Sequence, residues 1–166
     1  RTRLPRMSWQ PGATVLVTGG TSGVGLELAR AAARAGARKI VLASRRGTLA
    51  CDQLGLSEGV DLHVVAADVT DAAQVRQLIE IWNPDTIIHA AGTAQNLIDA
   101  ASLDETDFEH VMDAKCRGAR NLYAAIPDDK AVYLVFCSSG SAVWGSHSQA
   151  AYASANAWLD GFAALC

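Results

Sequence analysis

Tyr152 and Asn156 stand four residues apart, a spacing that sets both side chains on one face of a helix. Ahead of them, Ser139 closes an apolar run that ends in Ser138-Ser139-Gly140. A phenol and a hydroxyl so placed can give a proton to an oxygen on which negative charge is growing, and a nearby amide can order the donors. Each residue also has a plain reading: Ser139 as a turn residue, Tyr152 as packing on an amphipathic helix, Asn156 as a surface amide. The feature that joins them into one hypothesis lies near the other end of the chain. Thr14–Gly25 reads as a strand, a glycine-rich turn and the start of a helix, with Gly19, Gly23 and Gly25 in the spacing GxxxGxG. Glycine permits the sharp turn and the close approach of backbone to a pyrophosphate, which then sits at the helix N-terminus. Glycine turns also arise for conformational reasons alone, but a strand before and a helix after are the context of a dinucleotide site.

The elements that must position these residues follow from the apolar pattern. Thr14–Thr18, Lys39–Ser44, Leu62–Ala67, Thr86–Ala91 and Ala131–Cys137 are rich in Val, Ile or Leu without a period of two. Such runs predict strands buried on both faces of a parallel sheet. Between them, Leu26–Ala35 is Ala-rich and stops at Gly36, a C-cap signal. Asp71–Gln74, Ser102–Glu105 and Ser146–Gln149 resemble capping boxes. The second opens a helical stretch through Ala125 that Pro127 ends, and the third precedes a helical run to Leu165. The expected fold is α/β, a doubly wound parallel sheet of the Rossmann type. It is expected to be truncated after the fifth strand and the following helix, since such sheets usually continue through a sixth strand. Residues 1–12, basic and with two prolines, read as a linker, and residues 13–166 as the nucleotide-binding unit.

In that fold ligands gather at the carboxyl ends of the strands. The second strand ends in Ser44-Arg45-Arg46, where an acid would favour NAD and an Arg favours the 2′-phosphate of NADP. With no acid there and two guanidiniums, the expected cofactor is NADPH, with Arg45 as its contact; an ordinary solvated charge is the alternative. Asp68 ends the third strand, as ligand contact or helix cap. His89-Ala90-Ala91-Gly92 ends the fourth, and His89, with no other candidate ligand near it, reads as structural.

Composition excludes other classes. The 166 residues are 50% hydrophobic and 19% charged, which suits a folded domain rather than a disordered chain. A net charge of −3 argues against a general nucleic-acid binder. No apolar run approaches the roughly 18 residues of a membrane span, and the opening lacks a signal peptide's apolar stretch. Cys51, Cys116, Cys137 and Cys166 form no CxxC pair and suit reduced thiols in a cytoplasmic protein, with no metal site expected.

Taken together, the motifs resemble a short-chain dehydrogenase/reductase, in particular the ketoreductase domain of modular polyketide synthases. The matching segments are Thr18-Gly-Gly-Thr21-Ser22-Gly-Val24-Gly25, Ser44-Arg-Arg-Gly47, Asp68-Val69-Thr70, His89-Ala-Ala-Gly92, Asp113-Ala-Lys115 with Gly118-Ala-Arg-Asn-Leu122, and Val143-Trp144-Gly-Ser146 with Tyr152 to Asn156. The resemblance runs from Trp9 to the end, and Ser8–Pro11 is similar to the linker before that family's catalytic unit. Its most specific point is an exchange: most short-chain reductases pair Tyr with Lys four residues on, whereas here Asn156 takes that place and Lys115 lies on an earlier helix.

The resemblance implies Tyr152 as the acid, Lys115 as the charge that favours proton release from a phenol of ordinary pKa about 10, Ser139 as a second donor to the carbonyl oxygen, and Asn156 as an orderer of the proton relay. It implies NADPH held by Gly19, Thr21, Ser22, Gly23, Val24, Gly25, Ser44, Arg45, Asp68, Val69, Ala90, Ala91 and Gly92. The implied substrate is a β-keto acyl chain on the phosphopantetheine arm of an acyl carrier protein, with neighbouring synthase domains as partners and no nucleic acid or membrane. Reduction of a tethered α-keto acid in a peptide synthetase and a non-catalytic nucleotide-fold module are the alternatives; an adenylation domain upstream would mark the first, and the intact glycine turn and Tyr152 argue against the second. Segment Thr48–Gly59 is shorter than the family's usual helix and is expected to be a reduced helix or loop. No Leu-Asp-Asp follows Gly92, where Thr93-Ala-Gln-Asn96 stands, and Trp144 lies eight residues before Tyr152. In that family this pattern implies an A-type reductase forming the L-configured alcohol, and Gln149 implies an unepimerised α-carbon; simple loop packing is the alternative for Trp144.

Overall fold

Every apolar run forms a strand, and all five pair in parallel in the order β3-β2-β1-β4-β5. The structure is a computed structural model that describes residues 12–49, 59–93 and 97–166. The strands are β1 (Thr14–Thr18), β2 (Lys39–Ser44), β3 (Asp61–Ala66), β4 (Thr86–His89) and β5 (Tyr133–Phe136). The helices are α1 (Gly23–Arg34), α2 (Ala72–Trp82), α3 (Glu105–Met112), α4 (Gly118–Ala125), α5 (Ser141–Trp144) and α6 (Ala150–Ala163). All but Gly12 of the expected linker and most of the expected reduced helix lie outside the described residues, as do Ala94–Asn96.

Apolar residues on successive positions of β1 serve opposite layers. Val15 and Val17, with Ile40, Leu42 and Ile88, pack against Ala29, Ala32 and Ala33 of α1. Leu16, Val41 and Ile87 face Val75, Leu78 and Ile79 of α2 and Leu122 of α4. This two-sided burial is why the strands show no alternation of apolar and polar residues. The small alanines of α1 let it lie close to the sheet. Its end has the 6→1 and 5→2 bonds of a Schellman motif, Ala37 N–H to Ala32 O (3.0 Å) and Gly36 N–H to Ala33 O (3.0 Å), with Gly36 at φ +101°. β1 lies between β2 and β4, so the strand order reverses beside its carboxyl end. That is the place where such sheets bind ligands.

Several expected boundaries are corrected. β4 stops at His89 instead of Ala91, because the chain there leaves the ladder to pass over Gly19. α1 begins at Gly23, not Leu26, its first turn built from glycines that propensity alone would reject. Asp71 caps α2, accepting from Ala73 N–H (2.8 Å) and Gln74 N–H (3.2 Å), but the Gln74 side chain donates to the Asp71 carboxylate instead of accepting from the Asp71 N–H, which goes to Asp68 O. Asp104, not Ser102, caps α3, accepting from Asp107 N–H at 2.8 Å, while Ala100–Ser102 form a 3₁₀ turn. The helical stretch to Ala125 is broken by a π turn over Asp113–Arg117. Ser146 donates to the Gln149 side chain (2.6 Å), which leaves α6 without a side-chain cap. Among the described residues no helix is long and apolar enough to cross a membrane.

Candidate active site

The turn after β1 is shaped by what glycine lacks. A Cβ on Gly19, at φ +70°, would lie 2.7 Å from the Ala90 carbonyl and from Ala91 N. One on Gly25 would lie 2.3 Å from Gly19 O, so the first turn of α1 rests directly on the bend. Ser22 caps α1 without a side-chain bond, and the first turn carries no acid. The positive end of the helix therefore stays open to an anion. A cleft of about 980 Å³ runs from this turn along the carboxyl ends of β2, β3 and β4. It is lined by every residue expected at the cofactor: Gly19, Thr21, Ser22, Gly23, Val24, Gly25, Ser44, Arg45, Asp68, Val69, Ala90, Ala91 and Gly92. Asp68 is not a helix cap; its carboxylate accepts from the Thr70 N–H (2.9 Å) and hydroxyl (2.8 Å) and so shapes the wall after β3. Arg46, Thr70, His110 and Asp113 also line the cleft. His110 comes from α3 and Asp113 from the π turn that follows it.

None of the four catalytic candidates is among the residues that line the cleft. Lys115, only 7% exposed, rises from the π turn, and its Nζ donates to the Cys137 carbonyl at 2.8 Å. The same nitrogen lies 5.5 Å from the centroid of the Tyr152 ring, within cation–π range. Burial pushes the Lys115 ammonium below its ordinary pKa, an effect opposed by the fields of Tyr152, Cys137, Cys116 and Asp160. Burial also raises the neighbouring thiols, Cys116 to about 11. Gly92 joins the two regions, since a Cβ there would lie 3.4 Å from Lys115 Cε. Asn156 is fully buried; its Nδ2 donates to the Tyr152 carbonyl at 2.7 Å and its Oδ1 has no partner among the described residues. Ser139 Oγ accepts from Ser141 N–H at 3.2 Å. Ser138 Oγ ties the end of β5 to the Asn156 carbonyl at 3.3 Å.

The KR (ketoreductase) domain profile matches residues 13–165. The chain belongs to the ketoreductase domain family. It is 41% identical over 164 residues to erythronolide synthase EryA3 of Saccharopolyspora erythraea, covering 90% of this chain and 5% of that protein. It is 39% identical over 165 residues to polyketide synthase GfsA of Streptomyces halstedii, covering 95% of this chain and 2% of that one. Among solved structures it is similar to the A-type ketoreductases of a modular polyketide synthase, with a TM-score of 0.82 and 34% identity. That similarity covers 98% of this chain and 37% of the other. The chain thus spans a small part of each synthase and about a third of the solved ketoreductase.

In this ketoreductase domain the loop before α6 is fastened to the loop after β4. Ile98 N–H donates to Ser148 O (3.0 Å) and Ser148 Oγ to Asp99 Oδ1 (2.9 Å), which places Gln149 beside Ile98. Trp144 ends α5 with its ring against Gly140, yet 81% of it is exposed. Among the described residues no group of three His, Cys, Asp or Glu side chains has metal-binding geometry.

His89 is structural in the sense expected: it is 1% exposed, and burial pushes its pKa from 6.5 down to about 4. The unfolded chain therefore binds a proton near pH 6.5 that the folded chain refuses until about pH 4. Stability is retained above that window and falls as the pH drops through it, by on the order of 3 kcal/mol. Urea unfolding at stepped pH should show this extra loss in the wild type and not in His89→Gln. Parallel pH dependences for the two proteins would contradict it.

Proposed function

We propose that this ketoreductase domain uses NADPH to reduce the β-keto group of an acyl thioester, carried on the phosphopantetheine arm of an acyl carrier protein, to a β-hydroxyl. The observation that carries the reading is the placement of Lys115 between the Cys137 carbonyl and the Tyr152 ring, at the inner end of the glycine cleft. The cleft fits a dinucleotide phosphate: Gly19 and Gly25 leave room that a Cβ would fill, and the α1 N-terminus is open. Arg45, in the cleft at the end of β2, fits a 2′-phosphate by a charge-assisted contact. When bound, the nicotinamide supplies the hydride, and the protein supplies orientation and the proton.

Tyr152 gives its hydroxyl proton to the ketone oxygen as charge develops there. Lys115 stabilises the phenolate left behind; held by a carbonyl in a nearly water-free setting, its charge acts with little screening. Ser139 accepts one bond from Ser141 N–H, which leaves its own hydrogen free to donate to the substrate oxygen. Asn156 anchors the Tyr152 peptide and offers its unpaired Oδ1 to the relay that returns the proton.

The stereochemical part of the proposal is an A-type reductase forming the L-configured alcohol without epimerising the α-carbon. It is supported by Trp144, exposed eight residues before Tyr152, by Gln149 in the fastened loop, and by the similarity to solved A-type ketoreductases. Neighbouring synthase domains are proposed as partners on the same polypeptide, because the relatives are multidomain synthases. The test is chiral chromatography of the alcohol formed from a carrier-bound diketide. L-configured product is expected, with NADPH preferred to NADH and the preference reduced about tenfold or more in Arg45→Ala, as loss of a charge-assisted bond implies. Predominantly D-configured product, or equal affinity of the wild type for both cofactors, would overturn the corresponding part.

A further inference from the structure

His89 does more than fill space at the end of β4: it closes a ring of three bonds around Lys115. The His89 carbonyl accepts from Cys137 N–H at 2.9 Å. The Cys137 carbonyl accepts from Lys115 Nζ at 2.8 Å. The Lys115 carbonyl lies 3.1 Å from His89 Nε2. A carbonyl oxygen can only accept, so the hydrogen is on Nε2. In the neutral ring Nδ1 is then the acceptor, and Thr18 Oγ1, 2.8 Å away, donates to it. Both ends of the lysine, its peptide and its ammonium, are thereby referenced to the paired ends of β4 and β5. Thr18, the residue before Gly19, adds the strand that enters the glycine turn to the same unit.

The surrounding geometry makes room for this arrangement. The Lys115 carbonyl sits in the π turn Asp113–Arg117, a feature that often marks functional sites in helices. The His89 ring and Val69 both pack on Gly118, which has no side chain; a Cβ there would lie 2.8 Å from Val69 Cγ2 and 2.9 Å from the ring's Cε1. Phe136, next to Cys137, meets the same ring edge-on with centroids 6.2 Å apart.

We propose that His89 is a positioning residue for this ketoreductase: through its Nε2–H bond to the Lys115 carbonyl it holds the π turn in the one register that aims the ammonium at Tyr152. This rests on the reading of Lys115 and Tyr152 given above. The consequence is a loss confined to turnover, because the cofactor contacts lie on other residues. Displacing a catalytic group by about 1 Å can cost on the order of 10²-fold.

The experiment compares His89→Gln, His89→Asn and Lys115→Met in the full-length polypeptide, with a diketide thioester as substrate. Gln retains a donor near the Nε2 position; Asn reaches only the Nδ1 position. The expected result is a kcat for His89→Asn lower by on the order of 10²-fold, with KM and the NADPH dissociation constant within about twofold of wild type. His89→Gln should recover at least about tenfold of that kcat. Equal kcat for the Gln and Asn variants, whether both high or both low, or a parallel loss of NADPH binding in His89→Asn, overturns the proposal. Near-normal turnover by Lys115→Met would instead overturn the catalytic reading beneath it.

Discussion

Tyr152→Phe should lower ketone reduction by about 10²–10⁴-fold, the contribution of a positioned general acid, while NADPH binds as before. The substitution removes one hydroxyl and keeps the ring and the backbone. Asn156 bonds to the Tyr152 backbone, which Phe also has, and Lys115 lies over the ring at 5.5 Å, which Phe also presents. The ring packs against the cluster of Val111, Cys116, Ala151 and Ala155, and Phe serves there equally well. Loss of kcat with an unchanged NADPH dissociation constant is thus the signature of a missing proton and not of a damaged site. Turnover of a β-keto thioester within a fewfold of wild type would remove Tyr152 from the mechanism.

The second large effect is expected at Gly25 and in the opposite parameter. In Gly25→Val the new Cβ would stand 2.3 Å from Gly19 O, a distance no real Cβ contact shows, and the obstacle is backbone that cannot swing aside. The bend must open or α1 must withdraw, and either movement takes the helix N-terminus away from the phosphates. Losing about 2 kcal/mol of charge-assisted backbone bonds would weaken NADPH binding by at least about 30-fold. Fluorescence titration of NADPH measures this directly. The two substitutions therefore separate cleanly, one in kcat and one in cofactor affinity. A Gly25→Val protein that binds NADPH with wild-type affinity would mean that the glycine turn does not hold the pyrophosphate.

Much of this arrangement was legible before any coordinates. The five strands could be read because each is a continuous apolar run, the pattern that burial on both faces requires. The glycine turn could be read because Gly19, Gly23 and Gly25 fall between a strand and a helix. Tyr152 and Asn156 could be placed on one helix face by their spacing alone. Lys115 could not: nothing local distinguishes it from a surface lysine, and it was singled out only by resemblance. Its burial comes with the π turn that joins α3 to α4, and no residue type in Asp113–Arg117 signals it. The bonds from His89 to Lys115 and from Lys115 to Cys137 join residues 26 and 22 positions apart, beyond the reach of any periodicity. The misplaced caps have a shared cause. A capping box requires its serine to precede the helix, but Ser102 is taken up in a 3₁₀ turn and Ser146 bonds to the Gln149 side chain, so Asp104 and the bare Gln149 backbone start the helices instead.

The central claim is that the residues gathered around Lys115 and Tyr152 direct a hydride from NADPH to the β-carbon of a carrier-bound ketone and a proton to its oxygen. The most direct test uses NADPH deuterated at the transferred position, the full-length polypeptide and a carrier-bound β-ketoacyl thioester, with mass spectrometry of the product. One deuterium at the carbinol carbon is predicted in the wild type, with product formation slowed by orders of magnitude in Tyr152→Phe. An alcohol without deuterium, or no alcohol from a wild-type protein that binds NADPH, would contradict the account.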